Sequence, residues 1–443
     1  MAITYLGDVS GVHMSIVDAT LLMFTDSYPY GYALEDTFLE PQLRHLSAEF
    51  RSVVLVPFRR KGNRAAPPGD FEVEEGLAAL GESPLARSAS AVRALLTPHL
   101  WRDLRETPAI IRRPRALLRL LSAATRADLT SRWIIRYVRQ RILNSGTVVA
   151  YTFWCNGTTT GLALAKSKLS RLTVVSRAHG VDLYAERHDP PFLPLRAVTL
   201  EGLDRLYPDS EIGVRYVVER YPWFAGSCEL ARLGVPDPGF TTAPSTDGHV
   251  RVISCSRVVP IKRVELILGG IDHASRLRPD LHFEWHHFGD GPLRSELASL
   301  ASARFGDNAT ARFWGYSGIS DLMEFYRTNP LDVFVNASAS EGTPVAMMEA
   351  ASCGIPIVAT AVGGNVEVVS EENGYLVSAD PRPDEIAGAI LNLYERREAS
   401  VAKRAASRRV WELRYNEASN YREFAARLSA LADPKADELG GHP

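Results

Sequence analysis

Several things are scarce or missing in this chain. No run of about eighteen apolar residues occurs, so a membrane-spanning helix is not expected. The amino end lacks a basic segment followed by an apolar stretch, so no secretory leader is expected and the cytoplasm is the default compartment. Cysteine is rare: Cys155, Cys228, Cys255 and Cys353 lie far apart, form no CxxC pair and have no histidine at metal-ligand spacing. That argues against a zinc site and a disulfide framework and predicts four buried thiols. Basic excess is missing too, with 50 Lys and Arg against 52 Asp and Glu, which removes any global attraction to nucleic acid. Neither Gly-x-Gly-x-x-Gly after a strand nor Gly-x-x-x-x-Gly-Lys is present, which counts against dinucleotide-binding and P-loop readings.

At 443 residues the chain is long enough for two domains, since single cores seldom grow past about 250 to 300 residues. Short runs of Val, Ile and Leu alternate with helical patterns in both halves, the mark of an α/β protein with buried parallel strands. Strands are predicted at Thr20–Thr25, Ser52–Pro57, Thr147–Thr152 and Leu172–Ser176. In the second half they are predicted at Val250–Ser254, His282–Phe288, Ala311–Phe313, Asp332–Asn336 and Ile355–Thr360, each followed by a helix. Gly234–Gly248 is too rich in Pro, Gly, Ser and Thr for regular structure and reads as a linker, and Arg59–Gly69 reads as an exposed loop. The expected division is a first domain over 1–233, a linker over 234–249 and a second domain over 250–410. A helix over 411–432 then crosses back to the first domain, before a disordered tail over 433–443.

The segment Asn336–Gly354, NASASEGTPVAMMEAASCG, carries the most chemistry. A strand ends, a loop of small residues follows, and a helix begins, with Thr343 as N-cap and Pro344 in the first helical position. The amides of Gly342 and Thr343 then sit at a helix N-terminus, where free N–H groups and the helix dipole favour a diphosphate. Glu341 precedes the turn and suits sugar hydroxyls; Glu349, inside the helix, suits the two hydroxyls of a ribose. After the first strand of the second half, SCSRVVPIK supplies Arg257 and Lys262, two cations placed to neutralise a diphosphate and its departing charge, or else merely exposed. His179, following the strand LTVVS, is either a sugar contact or a structural histidine. Gly289-Asp290-Gly291-Pro292 and Val362-Gly363-Gly364 are turn signals.

Residues 100–145 hold eleven arginines against Asp103, Glu106 and Asp128 on a helical stretch. Leu117, Leu118, Leu120 and Leu121 lie among them, so the segment reads either as a helix on an anionic bilayer or a phosphorylated lipid, or as a solvated face whose arginines snorkel over the core.

Taken together, SCSRVVPIKRVELIL, HHFGDGPL, ARFWGY, EGTPVAMMEA, GIPIVATAVGGNVEVV and NGYLV, in this order, resemble the family-4 retaining glycosyltransferases, especially members that build bacterial capsular polysaccharides and exopolysaccharides. The resemblance implies the GT-B fold, two Rossmann-like domains facing a cleft, and transfer of a sugar from a nucleotide diphosphate-sugar donor to a glycan, lipid-linked or small-molecule acceptor. It implies that Arg257 and Lys262 bind the diphosphate, Glu341 the sugar and Glu349 the ribose. His179 would contact the sugar, and Phe313, Trp314 and Tyr316 would approach the base. No metal and no cofactor are implied, the two cations replacing a metal ion. The first loop departs from the paired glycines of many relatives, carrying Tyr30-Gly31-Tyr32. Two other readings are a catalytically inactive GT-B scaffold binding a nucleotide or lipid, and a nucleotide-sugar epimerase or a phosphorylase. Intact Glu341, Arg257, Lys262 and Glu349 argue against the scaffold, and no pyridoxal phosphate lysine motif supports a phosphorylase.

Overall fold

In the computed structural model, residues 16–31, 35–69, 71–142 and 147–432 are described. The apolar runs become two parallel sheets. The first contains β1 (Val17–Thr25), β2 (Phe50–Pro57), β3 (Glu72–Val73), β4 (Thr147–Thr152), β5 (Leu172–Ala178) and β6 (Arg205–Pro208), in the order β3-β2-β1-β4-β5-β6. The second contains β7 (His249–Cys255), β8 (His282–Phe288), β9 (Ala309–Gly315), β10 (Val333–Asn336), β11 (Ile357–Thr360) and β12 (Gly374–Val377), in the order β12-β11-β10-β7-β8-β9. Both are doubly wound. In each, the order reverses between the first strand and the fourth, and a crevice for ligands opens beyond the carboxyl ends of those two strands.

The predicted strands are all found, with ends moved by up to three residues. Three further strands go beyond that expectation. β3 is two residues long, β6 has four, and β12 keeps only its ends buried, so none carries the continuous apolar run that signals a central strand. Gly234–Gly248 is free of helix, and the segment 100–145 is helical over Pro98–Glu106 and Pro114–Arg141. Its four leucines do not act together: Leu120 is in the core and Leu118 is exposed. Cys155, Cys228 and Cys353 are buried free thiols, whereas Cys255 is only half-buried because it ends β7 at the crevice. Tyr32 and the tail 433–443 lie outside the described residues.

By internal packing the chain divides into two units. One comprises 1–176, 194–205 and 422–443; the other comprises 177–193 and 206–421. The first unit therefore takes in the end of the last helix (Glu417–Ala430), where Phe424 packs on Tyr151 with ring centroids 5.3 Å apart and Ser429 Oγ donates to Glu49 at 3.0 Å.

At the reversal point of the first sheet, the loop after β1 is organised by one carboxylate. Glu35, buried just before the helix Asp36–Glu49, accepts from the amides of Asp26 (2.9 Å), Ser27 (2.8 Å) and Tyr28 (3.0 Å) and from Trp154 Nε1 (2.7 Å). Trp154 follows β4, so this acid joins the ends of the two strands that flank the reversal. Replacing it would leave several buried donors unpaired, each costing on the order of 1–3 kcal/mol. Glu35→Ala is expected to lose about 3 kcal/mol of stability in urea denaturation. The neighbouring change Asp36→Asn, on an exposed carboxylate, should shift the midpoint little and serves as the control.

Candidate active site

The reversal point of the second sheet lies between β7 and β10, and the sequence-predicted residues follow those two strands. Beyond β7, the loop carrying Arg257 is held from below. Trp285 Nε1 donates to Ser254 Oγ (2.9 Å), Ser254 Oγ meets His287 Nδ1 (2.8 Å), and His287 Nε2 reaches the carbonyl of Ser256 (3.1 Å). Burial pushes the His287 pKa down to about 4, so the ring is neutral and donates through Nε2 to that carbonyl while Nδ1 accepts. Gly289 and Gly291 pack on the same loop: a Cβ on Gly289, at φ +130°, would stand 1.9 Å from the Ser256 carbonyl oxygen, and one on Gly291 would stand 2.3 Å from that of Val258. The Gly-Asp-Gly turn is thus a backbone support for the loop. The Arg257 side chain is exposed, its guanidinium with no partner among the described residues.

Lys262 and Glu341 come into direct contact. Lys262 Nζ donates to Glu341 Oε1 at 2.6 Å, and the same oxygen accepts from Ser338 Oγ (2.6 Å) and Asn336 Nδ2 (3.2 Å). Burial works to raise the Glu341 pKa, but Lys262 and these hydrogen bonds outweigh it and hold the carboxyl below its usual range. All three donors use Oε1, which leaves Oε2 available to a ligand. Arg263, next in sequence, adopts the left-handed conformation at φ +46° and donates to the carbonyls of Ala337 (2.9 Å), Ser338 (3.0 Å) and Ala379 (2.6 Å). Its backbone strain is compensated by a clamp across the loop after β10.

Gly363 and Gly364 support the Glu341 turn. A Cβ on Gly363 would lie 2.0 Å from the Glu341 carbonyl oxygen and one on Gly364 would lie 1.8 Å from that of Gly342. The helix that follows runs Val345–Ser352, with Pro344 as its N-cap. This corrects the expected placement of Thr343 as N-cap and of Pro344 inside the helix. The Thr343 side chain caps nothing and its Oγ1 is buried without a partner among the described residues, because Pro344 supplies the carbonyl that starts the helix, accepting from Met347 and Met348. Gly342 is buried as well, so the turn is less open than an exposed helix end.

Glu349 stands in this helix, its carboxyl without a hydrogen-bond or ion-pair partner among the described residues, and burial raises its pKa to about 8. Cys255, half-buried, stands at the end of β7. The thiol is pushed by burial up to about 12 and is no nucleophile.

His179 is buried at the end of β5 and caps the short helix Gly180–Leu183. Its Nδ1 meets Asp209 Oδ2 at 2.9 Å, and its amide donates to Asp182 Oδ1 at 2.7 Å. The turn touches the Glu341 turn: a Cβ on Gly342 would lie 3.3 Å from Gly180 Cα, and Arg187 Nη2 donates to Ser340 Oγ at 3.3 Å. Sequence reasoning missed Arg187, Asp209, Ser338 and Asn336. Only the Asn336-Ala337-Ser338 opening of the motif block offered a signal, since short polar residues after a strand favour local side-chain hydrogen bonds.

Phe313, Trp314 and Tyr316 close β9 and its exit. Phe313 is an edge-on neighbour of Trp285, with centroids 5.2 Å apart, and Trp314 stacks on Phe288 at 5.5 Å. Tyr316 is 78% exposed. The Gly289 amide donates to the Gly315 carbonyl at 2.7 Å, tying this edge to the Arg257 loop. Among the described residues one trio, His249, His282 and Glu284, has metal-ligand proximity, but it opens β7 and β8 at the end of the sheet away from these turns. Both Glu284 oxygens are already taken, by His249 (2.6 Å) and Arg251 (2.9 Å).

A doubly wound pair of sheets with polar turns at the second reversal point defines a GT-B protein. Residues 249–396 match the family described as Glycosyl transferases group 1. The resemblance read from the motif series is thereby borne out. The chain is 26% identical over 197 residues to the UDP-N-acetylglucosamine–peptide N-acetylglucosaminyltransferase GtfA subunit of Streptococcus agalactiae, a match covering 43% of this chain and 37% of that one. The chain thus spans less than two fifths of that relative's length. In fold it is similar to the lipopolysaccharide outer core galactosyltransferase WaaB, with TM-score 0.64 and 12% identity over 92% of this chain and 99% of the other. It is also similar to HepE of Anabaena solved with UDP-glucose, with TM-score 0.59 and 16% identity over 93% and 99%.

The half-buried Glu349 gives a pH signature. Its folded pKa of about 8 lies above its ordinary value of 4.5, so between these limits the folded chain holds a proton that the unfolded chain has released. Stability without ligand is expected to fall as pH rises from about 5 to 8, and Glu349→Gln should flatten that slope in thermal melts; an unchanged slope would remove Glu349 as its source.

Proposed function

We propose that this protein is a retaining glycosyltransferase that moves a sugar from a nucleotide diphosphate donor to an acceptor hydroxyl. The observation that carries the reading is the Lys262–Glu341 contact at 2.6 Å, made where the strand order reverses. The donor binds the half expected over 250–410, and the acceptor binds the half over 1–233. Lys262 keeps two ammonium protons beyond the one given to Glu341, and Arg257 is unpartnered among the described residues; both serve the diphosphate with the turn amides of Gly342 and Thr343 beside Pro344. Glu341 Oε2 accepts from sugar hydroxyls. Glu349, whose carboxyl has no partner among the described residues, holds the ribose hydroxyls. The base lies along Phe313, Trp314 and Tyr316. UDP is the first nucleotide to test, since HepE of Anabaena was solved with UDP-glucose.

In the transfer step the acceptor oxygen bonds to the anomeric carbon from the face that the phosphate leaves. The bond from that carbon to the phosphate oxygen breaks, and the hydroxyl proton passes to the departing phosphate. His179, oriented by Asp209, contacts the sugar. The cations do the charge stabilisation that a metal ion does elsewhere, so no metal or cofactor is assigned. The chain is assigned to the cytoplasmic side, with residues 100–145 as its peripheral contact with the inner face of the membrane; no described helix is long and apolar enough to cross one.

A panel of UDP-, GDP- and ADP-sugars, followed by nucleotide release, tests this reading. One nucleotide class should turn over, and release from none of them would leave a binding scaffold instead. Lys262→Ala is expected to lower turnover about 100-fold, the scale of removing one charge-stabilising group. Glu349→Ala should weaken nucleotide binding about tenfold, which corresponds to about 1.4 kcal/mol. The product should keep the donor's anomeric configuration by NMR, and inversion would sink the mechanism.

A further inference from the structure

The segment after β5 brings a further cation to the Glu341 turn, one to which the donor site described above gives no task. Arg187 ends the short 3-10 turn Ala185–Arg187, in the stretch 177–193 that belongs to the second unit together with 206–421. Its side chain folds back over Gly180. A Cβ on that glycine would stand 2.9 Å from Arg187 Nη1 and 3.1 Å from Cζ, so the missing methyl group is the seat on which the guanidinium rests. From there Nη2 donates to Ser340 Oγ at 3.3 Å and would stand 3.8 Å from a Cβ on Gly342. The guanidinium is thus lodged between the residue that follows His179 and the two residues that flank Glu341.

What this cation lacks is a counter-charge. Arg187 is half-buried, and its guanidinium pairs with no carboxylate among the described residues. The acids around it are committed elsewhere. Glu186, its neighbour in the chain, accepts from Tyr216 Oη (2.8 Å) and from Arg220 Nη2 (2.6 Å). Asp182 accepts from the His179 amide, Asp209 meets the His179 ring, and Glu341 uses Oε1 for Lys262. A hydrogen bond to a serine hydroxyl at 3.3 Å is long and offsets little of what a guanidinium loses on leaving water. A planar fork of donors, seated by a glycine and left without a carboxylate, suits an anion that arrives with the ligand.

Position decides which anion that is. Arg257 and Lys262 follow β7 and serve the diphosphate, whereas Arg187 comes from the segment after β5, beside His179 and Glu341, the two residues given to the sugar. A neutral hexose would bring only hydroxyls there. They suit Glu341 Oε2 and an imidazole, but they leave the guanidinium desolvated and uncompensated. A hexuronate brings a carboxylate at C6, whose two oxygens match the fork. We propose that Arg187 selects a donor with an acidic sugar, a nucleotide diphosphate-hexuronate, by pairing with that carboxylate. The inference rests on the donor site proposed above and names the class of sugar which that site takes. The carboxylate keeps its charge and stays outside the bonds that change, so Arg187 sets specificity; a site built to pair with a charged group discriminates strongly against the analogue that lacks it.

The test measures binding to the full chain by calorimetry, with UDP and GDP alone and with matched donors that differ only at C6. The pairs are UDP-glucuronate with UDP-glucose, UDP-galacturonate with UDP-galactose, and GDP-mannuronate with GDP-mannose. In one pair the uronate should bind at least about tenfold more tightly than the neutral hexose, the scale of one hydrogen-bonded charge pair. Arg187→Ala should erase that preference while leaving the affinity for the bare nucleotide and the melting temperature unchanged. Gly180→Ala, which fills the seat of the guanidinium, should reduce the preference too, and Arg187→Lys should keep only part of it. Equal affinity within every pair overturns the proposal. So does an Arg187→Ala chain that loses the bare nucleotide as much as the uronate donor, since Arg187 is then a phosphate cation. Nucleotide binding separates the two readings: UDP or GDP bound with no uronate preference rejects only this inference, whereas binding of neither rejects the donor site on which it rests.

Discussion

One ion pair organises the candidate active site. Lys262 follows β7 and Glu341 follows β10, the two strands at which the sheet changes winding direction, and their 2.6 Å contact bridges that divide. A buried carboxylate beside a lysine is costly to desolvate unless its lone pairs are used, and here Ser338 and Asn336 share the same oxygen. The arrangement leaves the other oxygen and most of the ammonium's donors uncommitted. The pair is therefore kept ionised and oriented without being self-satisfied.

Around that pair the supports are mostly backbone. Gly289 and Gly291 lie against the carbonyls of Ser256 and Val258, and Gly363 and Gly364 lie against those of Glu341 and Gly342. At each of these contacts a methyl group would collide with an oxygen at 2.3 Å or less. The turns that hold the functional side chains are thus set by the closest approach that two main chains can make. The neutral His287 and the strained Arg263 add directional hydrogen bonds where glycine contacts alone would leave the loops free to slide.

Much of this was legible in the sequence, for physical reasons that also explain the failures. Buried parallel strands are largely apolar along their length, so β4 could be placed to the residue, whereas β3 and β6 are too short to announce themselves. Glu341 and Lys262 were singled out because a strand end followed by small residues is where a doubly wound sheet opens its crevice, and the structure brings the two into contact. The N-cap was misplaced because Thr343 has the right side chain, while the cap is decided by which carbonyl the first helical amides reach, and that is Pro344's. Arg187 and Asp209 were invisible because their roles depend on contacts with Ser340 and His179, 153 and 30 residues away. The 100–145 segment was ambiguous because composition cannot tell which side of a helix faces inward.

The paired glycines 363 and 364 have a mechanical consequence. Two loops from successive crossovers, one after β10 and one after β11, meet with no side chain between them to absorb displacement. They behave as a single bearing: a ligand that nudges the Glu341 turn also drives the exit of β11 and the short helix Asn365–Val368 behind it. Glu367, on that helix, accepts from the amides of Glu211 (3.0 Å) and Ile212 (2.9 Å) at the start of the helix Glu211–Arg220. Strain arising at the Glu341 turn thus has a stiff route to an element more than a hundred residues earlier in the chain.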